Sequence, residues 1–467
     1  MAKIAIKPMD AAWFHVEKRD APAHFGPLLI LSPPPGAAPS YVGDFVEQWR
    51  QNKKFAAPFN YRLRKYPVPA WNVVPDDEID LDYHLRHLAL PAPGGERELG
   101  ILVSRLQSHR LDQRRPLWEV HVIEGLADGR FAIYMKFHHG QLDGVAAAQL
   151  IERVFTTDAD ATGLLPPWAT GIRGNRPVAT TPAPPNTLSR IATARQVVGS
   201  TCIATWALIK MIRAIRTGGV PGLTGPFQSP TTIFNGRIRK QRRFATQHYD
   251  LVRFKKIAKA TDVTVNDVFL AITGGAMRRY LAELDALPQT SIVGQVPVSV
   301  RVNGDAGVGN ALAFIYARLR TDLDNPLARL HAVRESSAAG KAVHESLPAA
   351  AVAPFTMMLV GPYITQAILG LGGRVKPAAN LVISNVPGPR ERLYFNGARV
   401  EQIYGPSVLF HGQALNITMS SYAGQVDIGF TGCRFSMPSM QKLAVYTGEA
   451  LDELEAVLAL DQVLSEV

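Results

Sequence analysis

The clearest alternation of apolar and polar positions lies in the first third of the chain. Apolar residues recur at every second place over 131–137, so Phe131, Ile133, Met135 and Phe137 share one face of a strand. A second strand over 118–124 precedes it, with Ala127, Asp128, Gly129 and Arg130 as the turn between. A helix follows over 144–155. Further on, helical spacing over 253–260 and 265–284 is mixed with strand patterns over 292–301, 311–319, 381–384, 415–421 and 425–431. A helix over 439–459 closes the chain. Helices and strands intermingle throughout, which predicts an α/β (α+β mixed) class with two layers in each domain.

Two stretches interrupt this pattern. Pro166, Pro167, Pro177, Pro182, Pro184 and Pro185 fall among small polar residues and read as a linker. With 467 residues, two packed domains are expected. The expected division is a first domain over 1–165, a linker and basic helical segment over 166–230, and a second domain over 231–467. The other stretch, 347–373, has no charged residue but contains Pro348, Pro354 and Pro362 and ends in Gly370, Gly372 and Gly373. These breakers argue against one straight transmembrane helix and for buried helices lining an apolar cavity, or for plain core.

Composition narrows the class. Hydrophobic residues make up 47% and charged residues 19%, enough apolar material for large cores and too much for a disordered chain. Cys202 and Cys433 cannot form a disulfide framework, which fits a reduced cytoplasmic setting. The opening MAKIAIKPMD has no apolar core of signal-peptide length, so secretion is not expected.

Charge is unevenly placed. The formal net charge is +11, yet no Asp or Glu occurs from Ala161 to Tyr249, where twelve Lys and Arg lie. The rest of the chain has 38 basic against 39 acidic residues, a net of −1. Such a segment attracts nucleic acid, anionic lipid or a phosphorylated small molecule. Nucleic acid is not expected, because stacking aromatics and a recognisable binding module are both missing. Within the segment, 197–212 is strongly apolar and is followed by Arg213 and Arg216. Interrupted by Lys210, it is too short and too polar to span a bilayer, where ~20 apolar residues are needed. It suits a helix lying on a membrane face with its basic flank among headgroups, or an amphipathic helix docked on the protein.

Candidate chemistry sits at the end of the strand over 131–137, in His138-His139-Gly140-Gln141-Leu142-Asp143-Gly144. A histidine at a strand end beside a cleft can serve as a general base near neutral pH. Asp143 can orient that region or cap the following helix, and Gly144 leaves room for a close approach. Both histidines can equally be satisfied structural groups. Adjacent side chains on a strand point to opposite sides, and no HExxH or Cys/His cluster supports a metal site. No GxSxG elbow, Walker A or GxGxxG after a strand is present, so no metal and no resident cofactor are expected.

The segment HHGQLDG matches the HHxxxDG signature of the CoA-dependent acyltransferase superfamily. Its surroundings resemble the bacterial wax ester synthase/acyl-CoA:diacylglycerol acyltransferase family more specifically. The matching residues are Arg115-Pro116-Leu117-Trp118-Glu119, Asn266-Asp267, Ser384-Asn385-Val386-Pro387-Gly388-Pro389, Met9-Asp10-Ala11 and Tyr446-Thr447-Gly448. The resemblance covers essentially the full length. It implies two chloramphenicol-acetyltransferase-like domains with a tunnel between them, and acyl-CoA as donor substrate. The acceptor would be a long-chain alcohol or diacylglycerol, esterified without an acyl-enzyme. His139 would be the general base and Asn266 the oxyanion donor, although Asn266 also suits a helix N-cap. His138 would support the loop or touch substrate. Asp143 would pair with an arginine, for which Arg301 is the candidate, and Asp267 would be structural. Pro116, Leu117 and Trp118 would shape an acyl tunnel, or form a turn with a buried tryptophan. The implied place is the cytoplasm, peripherally on the inner membrane or lipid inclusions. Two alternatives remain at this level: a stand-alone condensation-type enzyme using carrier-protein thioesters, and a non-catalytic lipid-surface protein.

Overall fold

A computed structural model describes residues 3–172, 187–300 and 311–465. In chain order the strands are β1 (Lys3–Ala5), β2 (His24–Phe25), β3 (Leu28–Ser32), β4 (Tyr61–Arg64), β5 (Ala70–Val73), β6 (Leu85–Ala89), β7 (Trp118–Glu124), β8 (Phe131–His138), β9 (Arg242–Asp250), β10 (Val293–Val300), β11 (Ala311–Arg318), β12 (Leu381–Pro387), β13 (Tyr394–Phe395), β14 (Ala398–Tyr404), β15 (Leu415–Tyr422) and β16 (Gln425–Cys433). The helices are α1 (Pro8–Val16), α2 (Tyr41–Gln51), α3 (Leu81–His84), α4 (Glu96–Ser108), α5 (Gly144–Val154), α6 (Pro167–Thr170), α7 (Thr187–Thr217), α8 (Leu251–Ala260), α9 (Val265–Glu283), α10 (Pro326–Glu345), α11 (Ala349–Ile368) and α12 (Lys442–Ser465).

Two large mixed sheets carry the fold. The first runs β13-β14-β3-β8-β7-β6, with β2 also paired to β8; the second runs β11-β10-β12-β15-β16-β9. A small sheet, β1-β5-β4, stands apart. The β7–β8 hairpin is antiparallel, and its turn places Asp128 and Gly129 in the left-handed region, which Asp tolerates and Gly adopts freely. Strand β8 is buried on both faces. Phe131, Ile133, Met135 and Phe137 enter one core with Leu150 and Trp168, while Ala132 and Tyr134 enter another with Leu99, Val103 and Phe244. The second sheet buries its face under α9, whose residues from Val268 to Leu270 are fully covered.

The sheets do not divide at one point of the chain. β13 and β14 follow β12 of the second sheet, yet β14 pairs antiparallel with β3 in the first. The chain then returns to the second sheet as β15. The reverse crossing is made by α4, which covers the free edge of β9: Phe244 N donates to Ser104 Oγ at 2.8 Å and Arg242 N to Ser108 Oγ at 2.9 Å. An edge strand is thereby closed by two helix serines.

Two expected features differ. Within the stretch 347–373 one helix, α11 (Ala349–Ile368), runs through Pro354 and Pro362 rather than breaking at them. Burial of Ala351, Val352, Phe355 and Leu359 in the second core holds it together against the usual cost of internal proline. The stretch after 165 is not free linker at its start, because Trp168 is fully buried and donates Nε1–H to Asn52 O at 2.9 Å.

Gly100 lies where α4 meets β9; a Cβ there would sit 2.8 Å from Phe244 O. Gly100→Val should therefore lower stability by about 1–3 kcal/mol through overpacking. Gly43→Val, a site with open space, should cost much less. Equal thermal midpoints for the two variants would refute the close seam.

Candidate active site

Strand β8 ends at His138, and α5 begins at Gly144, so the paired histidines sit on a sharp strand-to-helix connection. Backbone bonds fix that connection. His138 N donates to Leu117 O at 3.0 Å and His139 N to Ala23 O at 2.8 Å. Gln141 ties the loop to its surroundings by donating Nε2–H to Pro58 O at 2.6 Å.

Helix α1 closes over both imidazoles with consecutive aromatic residues. Trp13 stacks on His139, with ring centroids 3.9 Å apart and planes at 18°. Phe14 stacks on His138 at 4.5 Å and 6°. Phe25 approaches His139 at 4.7 Å from another side. Gly140 makes the close approach feasible: a Cβ would lie 2.8 Å from Asp10 O and from the Phe14 ring.

The two histidines differ electrostatically. His138 is buried, and its Nδ1 accepts from Gly140 N at 3.0 Å. In the neutral ring the proton then resides on Nε2, which lies 3.7 Å from Glu17 Oε2. Glu17, at the end of α1, also accepts from Arg110 Nη2 at 2.7 Å and from Gln113 Nε2 at 2.5 Å. Burial alone would raise its carboxyl, but His138 and Arg110 override this and hold it at about 2. His139 has no such partner among the described residues: its Nδ1 is buried without a hydrogen bond to any of them. Burial lowers its pKa to about 4; the charge of His138 adds to this and that of Asp143 opposes it. The imidazole is consequently neutral across the physiological range and able to accept a proton.

Asn266 occupies the first turn of α9, but it is not the cap. Thr264 takes that role, its side chain accepting from Asp267 N while Asp267 Oδ2 accepts from Thr264 N at 3.1 Å. Asp267 is buried and further held by the Ser337 hydroxyl, a structural position. Asn266 Oδ1 accepts from Asn385 Nδ2 at 3.3 Å, so residues from two separate sequence motifs meet. Asn266 Nδ2 is buried with no acceptor among the described residues. A buried donor without a partner is costly in a finished core and useful where an anion is to be met.

Other expected roles change. Asp143 is exposed and caps α5, accepting from Ala146 N at 2.8 Å, and it enters no ion pair among the described residues. Arg301, its expected partner, lies outside the described residues. Gly144 has open space around its Cα and relieves no crowding. Leu117 and Trp118 are fully buried. Trp118 donates Nε1–H to Phe59 O at 2.8 Å and stacks on His84 and Trp168. The Pro116-Leu117-Trp118 segment thus takes the second of its two expected forms, a turn with a buried tryptophan, and braces the strand end carrying His138. The residues that sequence reasoning passed over are Trp13, Phe14, Glu17 and Arg110. The Met9-Asp10-Ala11 match lay beside them, but nothing in their own spacing pointed to the histidines.

Two mixed sheets sharing strands across their boundary, with paired histidines at the end of a central strand, define an acyltransferase-type two-domain fold. The first condensation domain of the CDA synthetase shares that fold, with a TM-score of 0.56 at 16% identity over 98% of this chain and 96% of that one. Residues 6–269 match the wax ester synthase/diacylglycerol acyltransferase catalytic domain, and residues 308–455 the WS/DGAT C-terminal domain. A putative diacylglycerol O-acyltransferase of Mycobacterium tuberculosis is 40% identical, covering 96% of each chain. The O-acyltransferase WSD of Acinetobacter baylyi is 38% identical over 97% of each. The wax ester synthase/diacylglycerol acyltransferase of Marinobacter aquaeolei VT8 matches with a TM-score of 0.76 and 33% identity, covering 97% of this chain and 99% of that one. The chain belongs to the wax ester synthase/diacylglycerol acyltransferase family and is an O-acyltransferase.

The Glu17 cluster sets a pH dependence. A carboxyl held at about 2 when folded and near 4.5 when unfolded stabilises the protein above pH 4.5. That contribution is lost as pH falls from about 4.5 to 2. Glu17→Gln should be less stable at pH 7 and should lose stability less steeply across that window, as read by denaturant unfolding at each pH. Parallel curves for the two proteins would contradict the assignment.

Proposed function

We propose that the chain transfers a long-chain acyl group from acyl-CoA to the hydroxyl of a long-chain alcohol or of diacylglycerol, giving wax ester or triacylglycerol. The observation that carries this reading is the imidazole of His139 at the end of β8, stacked on Trp13 and flanked by Phe25. His139 takes the proton of the acceptor hydroxyl as its oxygen attacks the thioester carbonyl. The carbonyl oxygen becomes an oxyanion, to which Asn266 Nδ2 donates, with Asn385 orienting the amide. Collapse of the intermediate breaks the C–S bond; the CoA thiolate leaves and takes up the proton held on His139. Asp143, whose charge favours the imidazolium, helps that proton reside on His139 at the moment of transfer.

A direct transfer is supported by the positions of both cysteines. Cys433 is buried and receives a hydrogen bond from Arg239 N at 3.4 Å, while Cys202 is exposed on α7. No resident cofactor is invoked, since a thiolate is already a good leaving group and activating the hydroxyl is the main task. Acceptors of this kind are held in lipid, which supports an enzyme working peripherally on the cytoplasmic side of the inner membrane or on lipid inclusions. The fold shared with condensation domains favours one second reading, in which the donor is a carrier-protein thioester.

Free-thiol release from palmitoyl-CoA, with hexadecanol, with dipalmitoylglycerol and with neither, tests the assignment. Release should depend on acceptor and fall by about 10²–10⁴-fold in His139→Ala with the fold retained. Acceptor-dependent release that survives in the variant would remove His139 from the role of base. No release from the folded wild type with either lipid, together with turnover of carrier-protein thioesters, would favour the second reading.

A further inference from the structure

Helix α7 presents a face that the acyl-transfer site does not use. Its underside is packed: Ala204 and Met211 are buried in the second core, and Ala207, Leu208, Ala214 and Ile215 pack against it. These positions recur at helical spacing, so the helix lies along the protein from Ala204 to Ile215. The opposite row, Val198, Cys202, Thr205, Ile209 and Ile212, is exposed, with Trp206 beside it. Trp206 and Ile209 are each 58% accessible and Val198 62%, values uncommon for such residues clustered on one helix. Lys210 Nζ sits 3.6 Å over the Trp206 ring, and Arg213 and Arg216 follow on exposed positions. None of the three cations enters an ion pair among the described residues, and the sequence from 161 to 249 holds no acidic residue to neutralise them.

We infer that the outer face of α7 is an interfacial docking surface for an anionic lipid bilayer. The row from Val198 to Ile212 enters the boundary between headgroups and acyl chains, and Lys210, Arg213 and Arg216 meet lipid phosphates. Charge decides the occupant. A second copy would bring the same cations against each other, whereas an anionic bilayer complements them. By length and composition Gln196–Thr217 and Ala349–Ile368 would reach across a bilayer. The packed undersides of both argue that they lie on it instead, because each is fastened on one side to the second core, α7 from Ala204 to Ile215 and α11 from Ala351 to Tyr363. This surface deepens the acyltransferase reading and rests on it in one respect: a lipid acceptor is delivered from the phase on which the enzyme sits. A row of rings leads from α11 towards the histidine. Tyr363 meets Phe410 at 5.4 Å, Phe410 meets Trp13 at 5.7 Å, and Trp13 stacks on His139.

Cys202 lies within the exposed row, and the other cysteine is buried, so an NBD fluorophore can be attached there in the folded full-length chain. With vesicles of phosphatidylcholine containing phosphatidylglycerol, the fluorophore should shift to the blue and be quenched by lipids brominated on their acyl chains. Lys210→Glu/Arg213→Glu/Arg216→Glu should weaken binding to these vesicles by at least 100-fold, at roughly fivefold per cation removed (from ~1 kcal/mol each near the surface). Trp206→Ser/Ile209→Ser should weaken binding to vesicles of either composition. Wild type and both variants should release thiol alike with octanol in solution; no release from the folded wild type would count against the catalytic reading, not the surface. Co-sedimentation with vesicles while the fluorophore stays water-exposed would overturn the proposal, as would no sedimentation. So would a blue shift that appears without vesicles and grows with protein concentration, which would mark contact between copies.

Discussion

The arrangement depends on the closure of α1 over the end of β8. Two aromatic rings from one helical turn, Trp13 and Phe14, cover two consecutive imidazoles. The contact is feasible because Gly140 lets the helix backbone approach the loop. Covering the pair has opposite consequences for its members. His138 gains the buried Glu17 carboxylate, which the exposed Arg110 and the half-buried Gln113 hold from the solvent side. His139 gains only aromatic surface, so its charged form is disfavoured and it stays neutral. The two histidines thereby sit in opposite electrostatic surroundings, although the sequence makes them neighbours.

That strand end needs a stiff base, and both sheets contribute to it. Tyr134, two turns of the pleat below His138, donates its hydroxyl hydrogen to Gln107 Oε1. Gln107 also donates to His24 O and to Ser407 O at 3.0 Å each, linking α4, β2 and the loop after β14. Lys136 is buried beside Glu119, with Nζ 3.3 Å from Oε2 and 2.6 Å from His109 O. β14 is fastened in turn to the second sheet where Ile403 N donates to Asp427 Oδ2 at 2.8 Å. Burial lifts the Asp427 carboxyl to about 7, which marks how dry this junction is. The two halves therefore share one polar and apolar seam beneath the histidines rather than meeting as separate bodies.

Much of this was legible before any coordinates. The hairpin of β7 and β8, the helix after the histidines, and α8, α9, β10, β11, β12, β15, β16 and α12 in the second half follow from periodicities of two and 3.6, whereas β9 and α10 went unread. The paired histidines and Asn266 were legible as motifs, and the family followed from their combination. What stayed hidden depends on tertiary pairing. Nothing local says that β14, seven residues in a predominantly second-sheet region, crosses to pair with β3. Nothing local says that Trp13 and Glu17 belong to a site more than a hundred residues away in sequence. Trp118 was left open for the same reason: an aromatic beside a motif fits either a ligand path or a core, and packing against Trp168 and His84 favours the core. The prolines of α11 were read as breaks because their local cost is real, but burial of the helix outweighs it.

The account stands on a neutral His139 held dry beneath Trp13. Titration of the ring carbons of histidine-labelled protein by NMR, with His139 assigned from the signal missing in His139→Ala, measures this directly. The account predicts a midpoint near 4, with the ring uncharged from pH 5.5 upward. A midpoint near the ordinary value of about 6.5 would show an open, solvated imidazole and would contradict it.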